Sequence, residues 1–66
     1  MNVVVNGVRR ELPAGTTVAA LLAALDIAPT GTAVAVDGAV VPRAAHPGTV
    51  LTDGAVVEVL TAVQGG

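Results

Sequence analysis

The 66-residue chain contains no cysteine, lysine or serine and no Phe, Trp or Tyr. Without cysteine, the chain's own residues cannot form disulfides, zinc knuckles or iron–sulfur clusters. The only histidine, His46, cannot build a metal site alone, so we expect no bound metal or cofactor. Because no nucleophile or acid–base pair is available, we expect no catalytic residue of its own and do not interpret the chain as an enzyme.

Charge is scarce and slightly negative, with a net charge of −2. The three basic residues are Arg9, Arg10 and Arg43. Nucleic-acid binding requires clustered Lys and Arg, often with stacking rings, so we do not expect it. The longest uncharged stretch, residues 12–25, is shorter than the roughly 20 residues of a membrane span. With no secretory signal recognised, a cytoplasmic location is expected.

Small aliphatic side chains dominate what is present: 53% of residues are hydrophobic. A chain of this size buries only roughly 60% of the surface of the unfolded state, so its core is thin. Stability must come from apolar packing, and we expect a single domain over residues 1–66.

The first half of the sequence predicts a hairpin and a helix. A β-branched run at residues 2–5 precedes Asn6-Gly7, the strongest short hairpin signal. The returning strand, residues 8–12, has an imperfect alternation that leaves open a bulge or a one-sided edge strand. Thr17 is a candidate N-cap. The apolar stripe that follows it at helical spacing consists of Val18, Leu21, Leu22 and Leu25.

The second half predicts short strands separated by turns. Residues 33–36 indicate a strand that is central or covered on both faces, and Asp37-Gly38 a turn to Val40-Val41. Residues 43–48 contain Pro47 and Gly48 and follow Pro42, which indicates a loop. In it we expect His46 to be solvated, and Arg43 either to meet an acidic patch on a partner or to be a surface or loop-anchoring residue. Val50-Leu51 is a short strand or turn. The remaining signals are the Asp53-Gly54 turn and a last strand over residues 56–63.

This order predicts an α+β fold, a β-grasp in which one mixed sheet packs on a single short helix. The uncovered face of the sheet is free for solvent or a partner. We expect that face and the last strand to contact partners, with Glu58 facing one or the other.

The chain ends in Val63-Gln64-Gly65-Gly66. Neither glycine has a side chain, so an extended tail can enter a channel in which a Cβ would clash. A frayed end is the commonest fate of termini, but after a β-grasp pattern the Gly-Gly favours a functional tail. We predict a flexible tail over about 62–66, with residues 63–66 entering a partner's channel and the Gly66 carboxylate as the modified group.

Motifs that carry a family resemblance extend over essentially the whole chain. They are Asn6-Gly7, Arg10-Glu11-Leu12-Pro13, Gly15, Thr17-Val18, Leu21-Leu22, Ala33-Val34-Ala35-Val36, Val41-Pro42-Arg43, Asp53-Gly54 and Thr61-Ala62-Val63-Gln64-Gly65-Gly66. In length, motifs and element order, the chain resembles the ThiS family of sulfur carriers of thiamine biosynthesis, within the ubiquitin-like sulfur carriers. It departs from that family after Arg43, where the family often has a Trp and this chain has Ala45 and His46.

The resemblance implies a protein co-substrate that partner enzymes act on. A ThiF-like adenylating enzyme is expected to use ATP and Mg to form an acyl-adenylate on Gly66. Sulfur from a cysteine desulfurase or another source then yields a thiocarboxylate, which donates sulfur to a ThiG-like thiazole synthase. Two alternatives stay open: a sulfur carrier for molybdopterin, cysteine or another sulfur-containing metabolite, and a ubiquitin-like protein tag.

Overall fold

The computed structural model describes residues 1–61. The strands are β1 (Asn2–Val5), β2 (Val8–Glu11), β3 (Thr32–Val36), β4 (Ala39–Val41) and β5 (Val56–Thr61). One α-helix, α1 (Val18–Ala24), follows β2, and a 3₁₀ helix (Arg43–Gly48) follows β4.

The first hairpin forms at Asn6-Gly7, as predicted. Both turn residues have positive φ, +50° at Asn6 and +81° at Gly7, which is the requirement of a type I′ turn. The register runs without interruption from Val5 opposite Val8 to Asn2 opposite Glu11, so the bulge left open by the sequence does not occur. β2 is instead an edge strand whose four residues are all exposed, which is why its irregular polarity pattern is tolerated.

Helix α1 begins where the sequence predicted. The Thr17 side chain accepts a hydrogen bond from the Ala20 N–H at 3.1 Å, satisfying one of the free donors of the first turn. Val18, Leu21 and Leu22 are buried, and Leu25, the C-cap, is half-buried. A helix of 7 residues is too short to be stable alone, so its leucines must dock on the sheet.

The five strands form one sheet in the order β2-β1-β5-β3-β4. β1 and β5 are parallel at its centre, and every other pair is antiparallel. The helix covers one face, which confirms the predicted mixed sheet on a single helix. The buried core between them consists of Val3, Val5, Val18, Leu21, Leu22, Val34, Leu51, Ala55, Val57 and Val59. β3 lies between β5 and β4, but it is not covered on both faces, since Ala33 is exposed.

The predicted loop over residues 43–48 is wrong, because this segment is a 3₁₀ helix. Pro42 begins it at φ −59°, and its carbonyl accepts the Ala45 N–H at 2.8 Å, the i to i+3 bond of this helix type. Proline disfavours a long α-helix, but its fixed φ is compatible with a short 3₁₀ helix. Proline content alone therefore did not distinguish a loop from a 3₁₀ helix.

The last part of the described chain returns to the sheet centre. Val50 forms an isolated bridge with Thr17, and Gly54, at φ +84°, lies in the predicted turn before β5. β5 is described to Thr61, so the predicted end at residue 63 and the single-domain prediction over 1–66 extend outside the described residues. No helix within residues 1–61 is long and apolar enough to cross a membrane.

Candidate functional site

The predicted tail residues, Val63, Gln64, Gly65 and Gly66, lie outside the described residues, and their role stays a prediction. The structure describes the strand that leads to them. β5 is paired with β3 as far as Thr61, opposite Thr32, and with β1 as far as Val57, opposite Val5. The tail therefore follows directly from a strand at the centre of the sheet.

Side chains from three turns bind distant backbone, which the sequence did not predict for any of them. Asp53 Oδ1 accepts the Asn2 N–H at 2.7 Å, and Asp37 Oδ1 accepts the Val56 N–H at 2.9 Å. The Asn6 amide binds the backbone of Val59. Forming a turn is thus only part of the role of both aspartates, because each also joins elements that are far apart in sequence.

The sheet face opposite the helix carries an apolar surface. Val57 and Val59 point into the core, so alternation places Val56, Glu58 and Leu60 on the opposite face. The register adds residues from the other strands to this surface, which we call the open face: Val4, Ala33, Ala35, Val40, Val56, Glu58 and Leu60. Arg9 of β2, opposite Val4, borders it at the edge of the sheet. Val40 and Leu60 are 76% and 70% exposed. Exposed apolar clusters of this kind are typical of interaction sites.

A shallow cavity of about 260 Å³ lies beside the end of β5. It is bounded by Thr61 and by the segment from Asp26 to Thr32. Asp26 has a φ of +58°, and the Thr32 hydroxyl donates to the Ala28 carbonyl at 2.7 Å, which shapes the segment.

On the helix side, His46 is buried, which contradicts the predicted solvated histidine. It is 3% exposed, and its Nε2 lies 3.2 Å from the Val41 carbonyl oxygen. Since that oxygen can only accept, a hydrogen bond here requires a proton on Nε2, and in the neutral ring Nδ1 is then an acceptor. Nδ1 is buried and has no hydrogen-bond partner among the described residues. Arg43, by contrast, is exposed.

A cavity of about 230 Å³ adjoins His46, between α1 and the 3₁₀ helix. Its walls are mainly apolar and include Leu22, Ile27 and Pro29. An orphaned buried acceptor reduces stability, and the apolar groove, which is open to solvent, leaves room for added apolar contacts. This position therefore suits a larger side chain that has one donor and no acceptor.

Replacing His46 with Trp is expected to raise the free energy of unfolding by about 1 kcal/mol. The indole N–H can donate to the Val41 carbonyl, no acceptor is left unpaired, and the ring extends into the cavity. Urea unfolding of His46→Trp and His46→Phe tests this, because Phe fills the space without supplying the donor. Equal stability of the two variants would show that the bond to Val41 contributes nothing.

The comparisons with known proteins agree with this geometry. The family model described as the ThiS family matches residues 3–66. A crystal structure of the thiamine biosynthesis protein ThiS from Geobacter metallireducens is 35% identical, covers 100% of both chains and has a TM-score of 0.85. An NMR solution structure of a thiamine biosynthesis protein from the same organism is also 35% identical, with 100% of this chain and 88% of that chain covered and a TM-score of 0.82. The search of curated proteins finds no match.

Proposed function

Because the chain belongs to the ThiS family, small sulfur carriers of thiamine biosynthesis, we propose that it carries sulfur on the C-terminal carboxyl group of Gly66. The observation that carries the proposal is the family match over residues 3–66, which includes Gly65-Gly66. The chain contributes a docking surface and an acyl group, and partner enzymes contribute the catalysis.

The chemistry requires activation, since a carboxylate is a poor acyl donor. A ThiF-like enzyme with ATP and Mg converts the Gly66 carboxylate to an acyl-adenylate and releases pyrophosphate. The terminal sulfur of a cysteine desulfurase persulfide attacks the acyl carbon as the bond to AMP breaks. A thiol then splits the remaining S–S bond and is oxidised to a disulfide, leaving a thiocarboxylate that passes its sulfur to a ThiG-like thiazole synthase.

Intact mass spectrometry tests this proposal. The protein is incubated with the adenylating enzyme, ATP, magnesium and a persulfide source. We expect a mass gain equal to the exchange of one oxygen for sulfur, dependent on ATP. Adducts on lysines of other proteins would indicate a tag instead, and an unchanged mass, with a known carrier modified in parallel, would contradict the proposal. Adding thiazole synthase or molybdopterin synthase to the loaded protein then identifies the acceptor.

Partners are proposed to dock on the open face. It surrounds the strand that leads to the tail, and its large side chains are available without any rearrangement, as Leu60 at 70% exposure shows. Glu58 lies within this apolar surface and is exposed. A complementary partner surface would be apolar, with a cation opposite Glu58.

Replacing Leu60 with Glu is expected to raise the KM of the adenylating enzyme for the carrier about tenfold, because a charge is placed in the middle of the apolar contact. Stability should change little, since the side chain is already exposed. The measurement is the initial rate of sulfur loading against carrier concentration.

The matched control is Val50→Glu. Val50 is 56% exposed and bridges to Thr17 at the start of α1, away from the open face. An equal rise in KM for both variants would mean that added negative charge, rather than docking on the open face, causes the effect.

A further inference from the structure

The two edges of β5 have different backbone partners. On one edge, β3 pairs with it as far as Thr61. On the other, β1 ends at the turn, and the last backbone bond is from the Asn6 N–H to the Val57 carbonyl at 2.9 Å. Because backbone groups alternate along a strand, the N–H and C=O of Val59 point toward the β1 side, as those of Val57 do. β1 does not extend far enough to pair with them.

The side chain of Asn6 completes the pairing at this point. Its Oδ1 accepts the Val59 N–H at 2.8 Å, and its Nδ2 donates to the Val59 carbonyl at 3.0 Å. The two residues are 53 positions apart in sequence, and both bonds are partly buried. The amide thus reproduces the donor and the acceptor that a neighbouring strand would supply.

The turn alone does not explain an asparagine here. Glycine adopts the φ of +50° at Asn6 without strain, and aspartate adopts the same φ at Asp37. At Asp37 the backbone N–H donates to the Val56 carbonyl at 2.8 Å, so its side chain needs only to accept the Val56 N–H. At Asn6 the backbone N–H already binds Val57, so the side chain must both donate and accept. A side-chain amide presents a donor and an acceptor side by side and does both at once.

We propose that Asn6 is a positioning residue for the sulfur-bearing tail, an inference that rests on the proposed function. Its two bonds hold the β1-side edge of β5 at Val59, two residues before Thr61, the last residue paired with β3, and so fix the direction in which the chain leaves the sheet. From Val59 to Gly66 the chain reaches at most about 23–25 Å. A last strand held by β3 alone has more conformational freedom, which must be removed again within the partner's channel. Asn6 acts through the backbone and does not touch the reacting atoms.

The test compares Asn6→Gly with the matched control Asp37→Gly. Both changes convert an Asx-Gly turn to Gly-Gly, which is compatible with positive φ, and both remove side-chain bonds to β5, at Val59 and at Val56 respectively. Hydrogen exchange should be faster at the Val59 amide in Asn6→Gly and at the Val56 amide in Asp37→Gly. At saturating adenylating enzyme, the single-turnover rate of sulfur loading is expected to fall about tenfold in Asn6→Gly, with the half-saturating concentration unchanged within about twofold, and to stay within about twofold of wild type in Asp37→Gly.

A second variant keeps the test decisive if Asn6→Gly does not fold. Asn6→Asp retains the acceptor for the Val59 N–H but loses the donor, so an intermediate fall in the loading rate of about threefold is expected. Suppose that a folded Asn6 variant loses protection of the Val59 amide and still loads sulfur at the wild-type rate. That result would show that the Asn6 side chain stabilises the sheet without positioning the tail. Unchanged protection of the Val59 amide from hydrogen exchange in Asn6→Gly would show that the Asn6–Val59 hydrogen bonds do not form in solution. If the wild-type protein itself gains no sulfur, the proposed function fails, and the positioning role fails with it.

Discussion

Removing Gly66 is expected to lower the rate of sulfur loading by at least about a hundredfold, the scale of loss that small misplacements of a reacting group produce. The shortened chain still ends in a glycine carboxylate, but that group lies up to about 3.5 Å short of its former position. Loading is measured by intact mass under the conditions used for the wild-type protein.

Gln64→Ala is the control, because it alters the tail while keeping its length and both glycines. We expect its loading rate to stay within a few-fold of wild type. Gly66→Ala separates the effect of tail length from that of side-chain size. It keeps the full length of the tail and adds a Cβ that a narrow channel would exclude. Full loading of the Gly66 deletion would contradict the assignment of Gly66 as the modified residue.

Replacing Leu21 with Ala is expected to lower the free energy of unfolding by about 3–5 kcal/mol. Leu21 is 0% exposed and lies in the middle of the helical stripe that packs on the sheet. A domain of 66 residues has a total stability of only about 3–10 kcal/mol. This single change therefore removes a large part of what keeps the chain folded, and urea unfolding followed by circular dichroism measures it.

Leu60→Ala is the matched control, because it makes the same chemical change at a residue that is 70% exposed. Its cost is expected to stay within about 0.5 kcal/mol, as for other surface substitutions. Similar costs at the two positions would mean that α1 is not docked on the sheet in solution.

Local sequence signals predicted most of the fold. Asn6-Gly7 and Asp37-Gly38 predicted their hairpins because the type of turn is decided by residues that tolerate positive φ. The helix followed from Thr17 and a stripe of period 3.6, both independent of the rest of the chain. The 3₁₀ helix was missed because a segment of 6 residues shows no apolar period, and with it the burial of His46 was missed.

The candidate site was predicted less completely. Glu58 was expected to face outward, and it does, because alternation along one strand is a local property. The bonds from Asn6 to Val59 were not predictable in the same way, since they depend on β5 lying beside β1, a choice made by the whole sheet. The tail residues were predicted from their composition and from the family resemblance. That prediction did not depend on any contact within residues 1–61.

The parallel pairing of β1 with β5 also governs how the chain acquires its structure. Val4 lies opposite Val56, so the centre of the sheet joins two segments that are about 50 residues apart. Contacts of such long range form late, because closing a long loop costs entropy before any pairing is gained. Until β5 is in place, no strand joins the β1–β2 hairpin to the β3–β4 hairpin. A nascent or truncated chain without β5 therefore lacks the open face. The strand that leads to the tail is thus also the one that completes the sheet, so the open face proposed for partner docking exists only in finished, folded molecules.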